Sequence, residues 1–322
     1  MDHLKKLQGA AKTVDFAKRN GIYVVLLVLV GFFSFASENF LVSHNLMNVA
    51  RQVSMLGIAS VGFAFVLLLG GIDLSVGSNI TLVNVVCGWM MVTMGVDPVL
   101  AVTLTVAIAT LIGFINGWII ANIDMPPLIV TLAMMIIIEG VAFLISKGLP
   151  IYGFPASFAY IGQGYIGPIP VPVVIMIVVM AVGAFILNKT YFGRYFYAVG
   201  GNEEAAKLSG IKVKNVKYLV YSLSGFFAGV AGIVILSRTN SATVTAGKMQ
   251  ELEILTACVL GGVSVTGGVG RISNVVAGVL ILGVLSNGMV LMNISEFTQM
   301  VIKGSVLLIA VAFDCLQHRK TS

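Results

Sequence analysis

The sequence predicts an all-α, polytopic membrane protein that crosses the bilayer about ten times. Three observations predict it. First, 58% of the 322 residues are hydrophobic and 10% are charged, with a mean hydropathy of +1.02. A soluble domain is roughly a quarter charged, so the polar surface here is too small to wrap a soluble globule. Second, the apolar residues fall in continuous runs close to the ~20 residues that a spanning helix needs, not in the short alternating segments of a barrel. Third, the basic residues sit between and beside those runs. That placement orients membrane helices; it does not build a basic face for nucleic acid, despite the net charge of +6.

In chain order, residues 1–21 are expected to form a cytoplasmic N-terminal segment. Leu4, Leu7, Ala11 and Val14 stand at helical spacing among lysines, which fits either a helix lying on the membrane surface or a solvated tail. The long basic region and long first apolar run argue against a cleaved leader. Residues 22–314 are expected to form the transmembrane domain, with spans near 22–37, 46–69, 73–94, 99–121, 127–146, 171–188, 217–237, 251–267, 273–292 and 297–314. Residues 315–322 are expected to be a cytoplasmic tail. Asp97-Pro98 opens the fourth span and Pro126-Pro127 the fifth, where proline's missing N–H costs nothing. The eighth span is short and runs into the glycines between Gly261 and Gly270, so a break inside the membrane is expected there.

With both termini in the cytoplasm, 14 of the 19 lysines and arginines fall on the cytoplasmic side, as the positive-inside rule requires. Two loops are long. The loop 147–170 faces outward and is rich in Gly, Pro, Tyr and Phe, as suits a partner surface or a lipid-interface segment. The loop 189–216 faces the cytoplasm. In it Asn202 is a good N-cap, Glu203 and Glu204 suit a first helical turn, and Gly210 suits a helix end. Ala205 and Leu208 share a small apolar face. That short helix fits docking on another protein or packing on its own spans.

Polar residues inside the spans are few. Asp73, near Ser75 and Ser78, lies in a glycine-rich break and reads either as a cap for the third span or as a gate. Asn79, Asn84, Asn116, Thr131 and Asn287 suit hydrogen bonds between helices or a substrate pathway. Glu139 and Lys303 are opposite charges about 10 Å below the outer surface. They are expected to face the bundle or a pathway, paired within or across subunits; the alternative is a snorkelling lysine and a protonated acid. Ser75, Asn79, Asn116, Asp73, Glu139 and Lys303 are therefore the pathway or gate candidates. Trp89 and Trp118 suit interface anchors. Cys87, Cys258 and Cys315 show no metal spacing or disulfide framework. No His/Asp cluster or nucleophile constellation suggests an enzyme.

Several stretches resemble one family. Gly70-Gly71-Ile72-Asp73-Leu74-Ser75-Val76-Gly77, Phe192-Gly193-Arg194 followed by Ala198-Val199-Gly200-Gly201-Asn202, Glu204-Ala205-Ala206 followed by Gly210, and Gln250-Glu251-Leu252-Glu253 followed by Gly261-Gly262-Val263-Ser264 and Gly267-Gly268-Val269-Gly270 resemble, in order and spacing, the monosaccharide (ribose-type) permeases of ATP-binding-cassette importers. Glu253 stands where that family has an aspartate, and the I-x-L-P element downstream of the E-A-A loop is absent. The resemblance implies a cobalamin-importer-like (type II) fold, a homodimer, and alternating access. It also implies an ATPase subunit docked on the cytoplasmic side, against Asn202, Glu203, Glu204, Ala205, Ala206, Leu208 and Gly210, and a periplasmic or lipid-anchored sugar-binding protein outside. ATP and Mg would sit on the partner ATPase, with no cofactor in this chain, and the location would be the bacterial inner membrane. The alternative function is an ion-coupled secondary transporter of a small polar solute.

Overall fold

A computed structural model describes residues 21–319; the N-terminal segment 1–20 and the last three residues lie outside the described part. The described chain is almost wholly helical. In order come α1 (Gly21–Ala36), α2 (Ser43–Leu68), α3 (Ser75–Val92), α4 (Pro98–Asn122), α5 (Pro127–Ser146), α6 (Ala156–Gln163), a two-residue hairpin of β1 (Tyr165–Ile166) and β2 (Ile169–Pro170), α7 (Val171–Lys189), α8 (Tyr191–Gly201), α9 (Glu203–Leu208), α10 (Val213–Thr239), α11 (Gln250–Leu260), α12 (Ile272–Leu291) and α13 (Glu296–Arg319). Eight of these helices are long and apolar enough to cross a membrane, and α1 is a shorter apolar helix. The eighth expected span is present only as the 11-residue α11, which at ~1.5 Å per residue covers about half a bilayer. The last helix runs on to Arg319, past the expected end at 314.

Local chemistry sets several boundaries. The Asp97 side chain accepts from the N–H groups of Val99 and Leu100, with Pro98 at the first helical position of α4. Pro127 opens α5, and Lys147 in the left-handed region closes it.

At the centre stands α2, buried from Val53 to Leu68; α10, α12, α7 and α11 pack on it. Helices in lipid gain little from hydrophobic burial and rely on close packing and hydrogen bonds. Glycines supply the close packing between α4 and α10. A Cβ at Gly113 would fall on the Tyr221 carbonyl oxygen, and one at Gly225 on that of Ala109. Asn45 and Asn287 join α2 to α12 by exchanging two hydrogen bonds of 2.9 Å.

The two ends of the bundle differ. One end carries α8, α9, the α2–α3 turn, the α4–α5 turn and the glycine-rich loop 261–270. The other carries α6 and the β-hairpin, held to α10 by Ser237. Its hydroxyl accepts from the Gly162 N–H and donates to the Phe158 carbonyl.

Candidate functional site

Between α10 and α11 the chain is not helical. Residues 240–249 run in extended and turn conformations alongside the middle of α3. The Thr243 N–H donates to Asn84 Oδ1 (2.8 Å), and one turn further along α3 the Gly247 N–H donates to Thr81 Oγ1 (2.9 Å). The segment can come this close because Gly247 and Gly77 face each other; a Cβ on Gly247 would fall on the Gly77 carbonyl oxygen. Gly77 also leaves room for the Glu251 carboxylate. Side chains of α3 thus satisfy backbone groups that lipid could not, which is the condition for irregular backbone at membrane depth. α11 then completes the crossing.

This broken element, with α12 and α13, encloses a cavity of about 710 Å³ lined by Thr245, Lys248, Gln250, Glu253, Thr256, Ser286, Glu296, Gln299 and Lys303 among apolar groups. Lys303 Nζ of α13 lies 2.6 Å from Glu253 Oε1 of α11, with 25% and 29% of the two side chains exposed. Within the chain the partner of Lys303 is therefore Glu253, not Glu139. Glu139 is half-buried on α5 and close enough to Glu251 to act on it electrostatically. The lining combines hydroxyls and amides with the Lys303–Glu253 pair and two further charged side chains, Lys248 and Glu296, and suits a small, polar, hydrogen-bonding solute.

The other polar candidates form a separate cluster. Asp73 is 2% exposed. Its Oδ1 accepts from the Ser75 N–H (3.1 Å) and hydroxyl (2.6 Å), and its Oδ2 from the Ser224 hydroxyl of α10 (2.8 Å). Asn116 of α4 donates to Ser75 Oγ (2.9 Å), and Asn79 donates to the Ala109 carbonyl (3.2 Å). Thr131 of α5 donates to the Ile72 carbonyl. The cluster thus fastens the α2–α3 turn to α4, α5 and α10. None of Asp73, Ser75, Asn79 and Asn116 lines the cavity of Lys303.

At the α9 end, Asn202 caps α9 by accepting from the Ala205 N–H (2.9 Å). Gly210 takes φ +83° just beyond it. Glu203 pairs with Lys217 of α10 (2.9 Å) and Lys207 (3.3 Å), and Glu204 with Lys207 (2.8 Å). Burial pushes the Glu203 carboxyl up, but Lys217 and Lys207 more than offset this and hold it below the usual range. Ala206 points inward, while Ala205 and Leu208 are exposed, Leu208 by 90%. α9 thus presents a small apolar tip away from the bundle.

Sequence reasoning missed the amphipathic α8, which buries Gly193, Phe196 and Val199. That three-residue spacing was the available signal. α8 carries a backbone seam. A Cβ at Gly200 would fall on the Leu68 carbonyl oxygen, and one at Gly267 would lie 2.8 Å from both the Gly200 carbonyl oxygen and the Gly70 nitrogen. The Gly268 N–H donates to the Leu68 carbonyl, and the Tyr197 hydroxyl to that of Gly270 (2.7 Å). Burial pushes the Tyr197 phenol up, with Arg271 opposing. α8 therefore touches the loop that ends the broken element, and α9 packs on α8.

Membrane-length helices around a broken element, with a polar cavity and an end helix offered to a partner, define a transport permease component. The chain belongs to the family whose model, described as "Branched-chain amino acid transport system / permease component", matches residues 45–311. It is 42% identical to the ribose import permease protein RbsC of Bacillus subtilis over 96% of this chain and 98% of that protein. It is 41% identical to RbsC of Escherichia coli K12, over 90% and 92%, and 38% identical to the galactose/methyl galactoside import permease MglC of the same organism, over 95% and 97%. No solved structure matches significantly.

Proposed function

We propose that the chain is the membrane subunit of an ATP-binding-cassette importer that carries ribose or a related monosaccharide across a bacterial inner membrane by alternating access. The observation that carries this reading is the seam between α8 and the loop 261–270, because it joins the partner-facing end of the bundle to the element that lines the cavity. An ATPase subunit, holding ATP and Mg, docks on α9 and shifts that seam. The movement passes to α11 and the Lys303–Glu253 pair. A sugar-binding protein delivers substrate at the α6 end. A second copy of the chain completes the pathway, which fits the largely exposed faces of α5 and α13.

The family description names branched-chain amino acids, whereas the relatives that match nearly end to end are named for sugars. Those matches over nearly the whole chain favour the sugar. The test is uptake of labelled ribose in cells carrying this chain with its ATPase and binding protein. ATP depletion abolishes uptake, whereas an uncoupler at constant ATP leaves it intact; the reverse result identifies an ion-coupled transporter.

A further inference from the structure

A second concave surface lies on the outside of the bundle, away from the cavity of Lys303. It is a groove of about 770 Å³ between α4 and α10, lined by Thr103, Ala107, Leu111 and Phe114 on one side and Ser222 and Phe226 on the other. Phe226, Leu111 and Phe114 are exposed. At the α9 end the groove is continued by an aromatic and polar strip on the same two helices. On α10, Lys214, Tyr218, Ser222 and Phe226 follow one another four residues apart and so share one face. On α4 the matching face runs from Leu111 through Phe114 and the exposed Trp118 to Asn122. The Phe114 and Tyr218 rings meet at 5.7 Å. Beyond them the Asn122 amide donates to the Tyr218 hydroxyl (2.6 Å), and Lys214 Nζ donates to Asn122 Oδ1 (3.3 Å).

The charge at this end of the strip is one-sided. Lys214 stands in the first turn of α10, where the helix dipole is already positive. That turn has no acidic residue and α10 has no side-chain cap. Lys217 is neutralised by Glu203, but Lys212 and Lys214 form no ion pair among the described residues. A long apolar groove that ends in an aromatic and an uncompensated positive tip has the polarity of a phospholipid with an anionic head group.

We propose that the α4–α10 groove is a binding site for one anionic phospholipid of the leaflet at the α9 end. An acyl chain lies along Phe114, Leu111, Ser222 and Phe226. The phosphate meets Lys214 at the start of α10. Trp118 and Tyr218 sit at head-group level, where amphipathic aromatic rings are favoured. Bound there, the lipid braces the joint between α9 and α10.

The test uses the purified full-length protein, delipidated and titrated with phosphatidylglycerol or phosphatidylcholine of identical acyl chains, with bound lipid counted by native mass spectrometry. The wild type retains phosphatidylglycerol in preference, by roughly five-fold for a contribution of one lysine near the surface. Lys214→Gln, an exposed change that leaves packing intact, abolishes the preference and spares phosphatidylcholine retention. Ala107→Trp fills the groove and lowers retention of both lipids. An undiminished preference in Lys214→Gln, or undiminished retention in Ala107→Trp, overturns the proposal. So does a crosslink between copies through a cysteine at position 107, since the groove would then be covered by protein.

Discussion

Lys303 of the last helix and Glu253 of the half-length helix α11 form a 2.6 Å ion pair at the wall of the polar cavity. The pair joins the short α11 to α13, whose apolar stretch has no fully buried residue. Removing one partner leaves the other charge in a low-dielectric setting. Either Lys303→Gln or Glu253→Gln is expected to cost about 1–3 kcal/mol, below the cost for a fully dry pair because part of each side chain faces the cavity. The double swap, Lys303→Glu with Glu253→Lys, restores more uptake than either single charge reversal does. Thermal melts and uptake assays on the five variants check this. A double swap no better than the worse reversal removes the pair from the mechanism.

Asp73 is expected to act as a fastening rather than a gate. Its carboxylate accepts three hydrogen bonds in a closed site, so Asp73→Ala strands the Ser75 and Ser224 hydroxyls and should cost about 3 kcal/mol. The expected signature is lower protein abundance and a lower melting temperature, with KM for uptake unchanged in the protein that does fold. A raised KM at normal abundance would assign Asp73 to the pathway instead.

The seam at Gly200 is expected to transmit movement from the docked ATPase. Gly200→Ala places a methyl group on the Leu68 carbonyl and against Gly268, and overpacking of this kind costs ~1–3 kcal/mol. Because the seam joins α8 to the broken element, the expected result is ATP hydrolysis that continues while uptake falls at least several-fold. Tyr197→Phe, which deletes one hydrogen bond to Gly270 worth about 1 kcal/mol, should show a weaker form of the same defect. Parallel loss of hydrolysis and uptake in both variants would mean that the ATPase no longer docks.

The tether of α9 has a pH signature. The folded-state pKa of Glu203 is lowered from 4.5 and that of Lys207 is raised from 10.5. The Glu203 contribution is present above about pH 4.5 and is lost as pH falls through its lower folded value. The Lys207 contribution is present below about pH 10.5 and is lost as pH rises through its higher folded value. Protection of the α9 amides, taken relative to the intrinsic exchange rate at each pH, should therefore be highest at neutral pH and fall below about pH 4.5. Lys217→Met should lower that protection at neutral pH and flatten the acid response. In the same region, a cysteine at position 204 in a cysteine-free background should react with an impermeant reagent only from the cytoplasmic side. Labelling from the periplasm reverses the expected topology.

Much of this was legible in the chain because hydropathy and end signals are local. The run from Pro127 to Ser146 and the Asp97 cap of α4 follow from adjacent residues, as does the Asn202–Gly210 helix. What was not legible depends on distant partners. Residues 240–249 read as a loop between spans, and the groups that hold them are distant: Asn84 and Thr81, more than 150 positions away, and the Ile151 backbone, which exchanges two hydrogen bonds with Ala242. Glu253 was noted only as a departure from a family pattern, since nothing near it in sequence reveals that Lys303 is its partner. α8 was hidden by its three glycines, which suggested a loop although one of them, Gly200, is what allows the backbone seam.

The extended stretch beside α3 also bears on how the protein is made. A helix satisfies its own backbone and can enter lipid as soon as it is synthesised. Residues 240–249 cannot, because the N–H groups of Thr243 and Gly247 are received by α3 and that of Ala242 by the Ile151 carbonyl. Insertion must hold this stretch in water or in the insertion machinery until α3 is available to it. The order of assembly is thereby constrained: the first half of the chain acts as the template on which the second half completes its crossing.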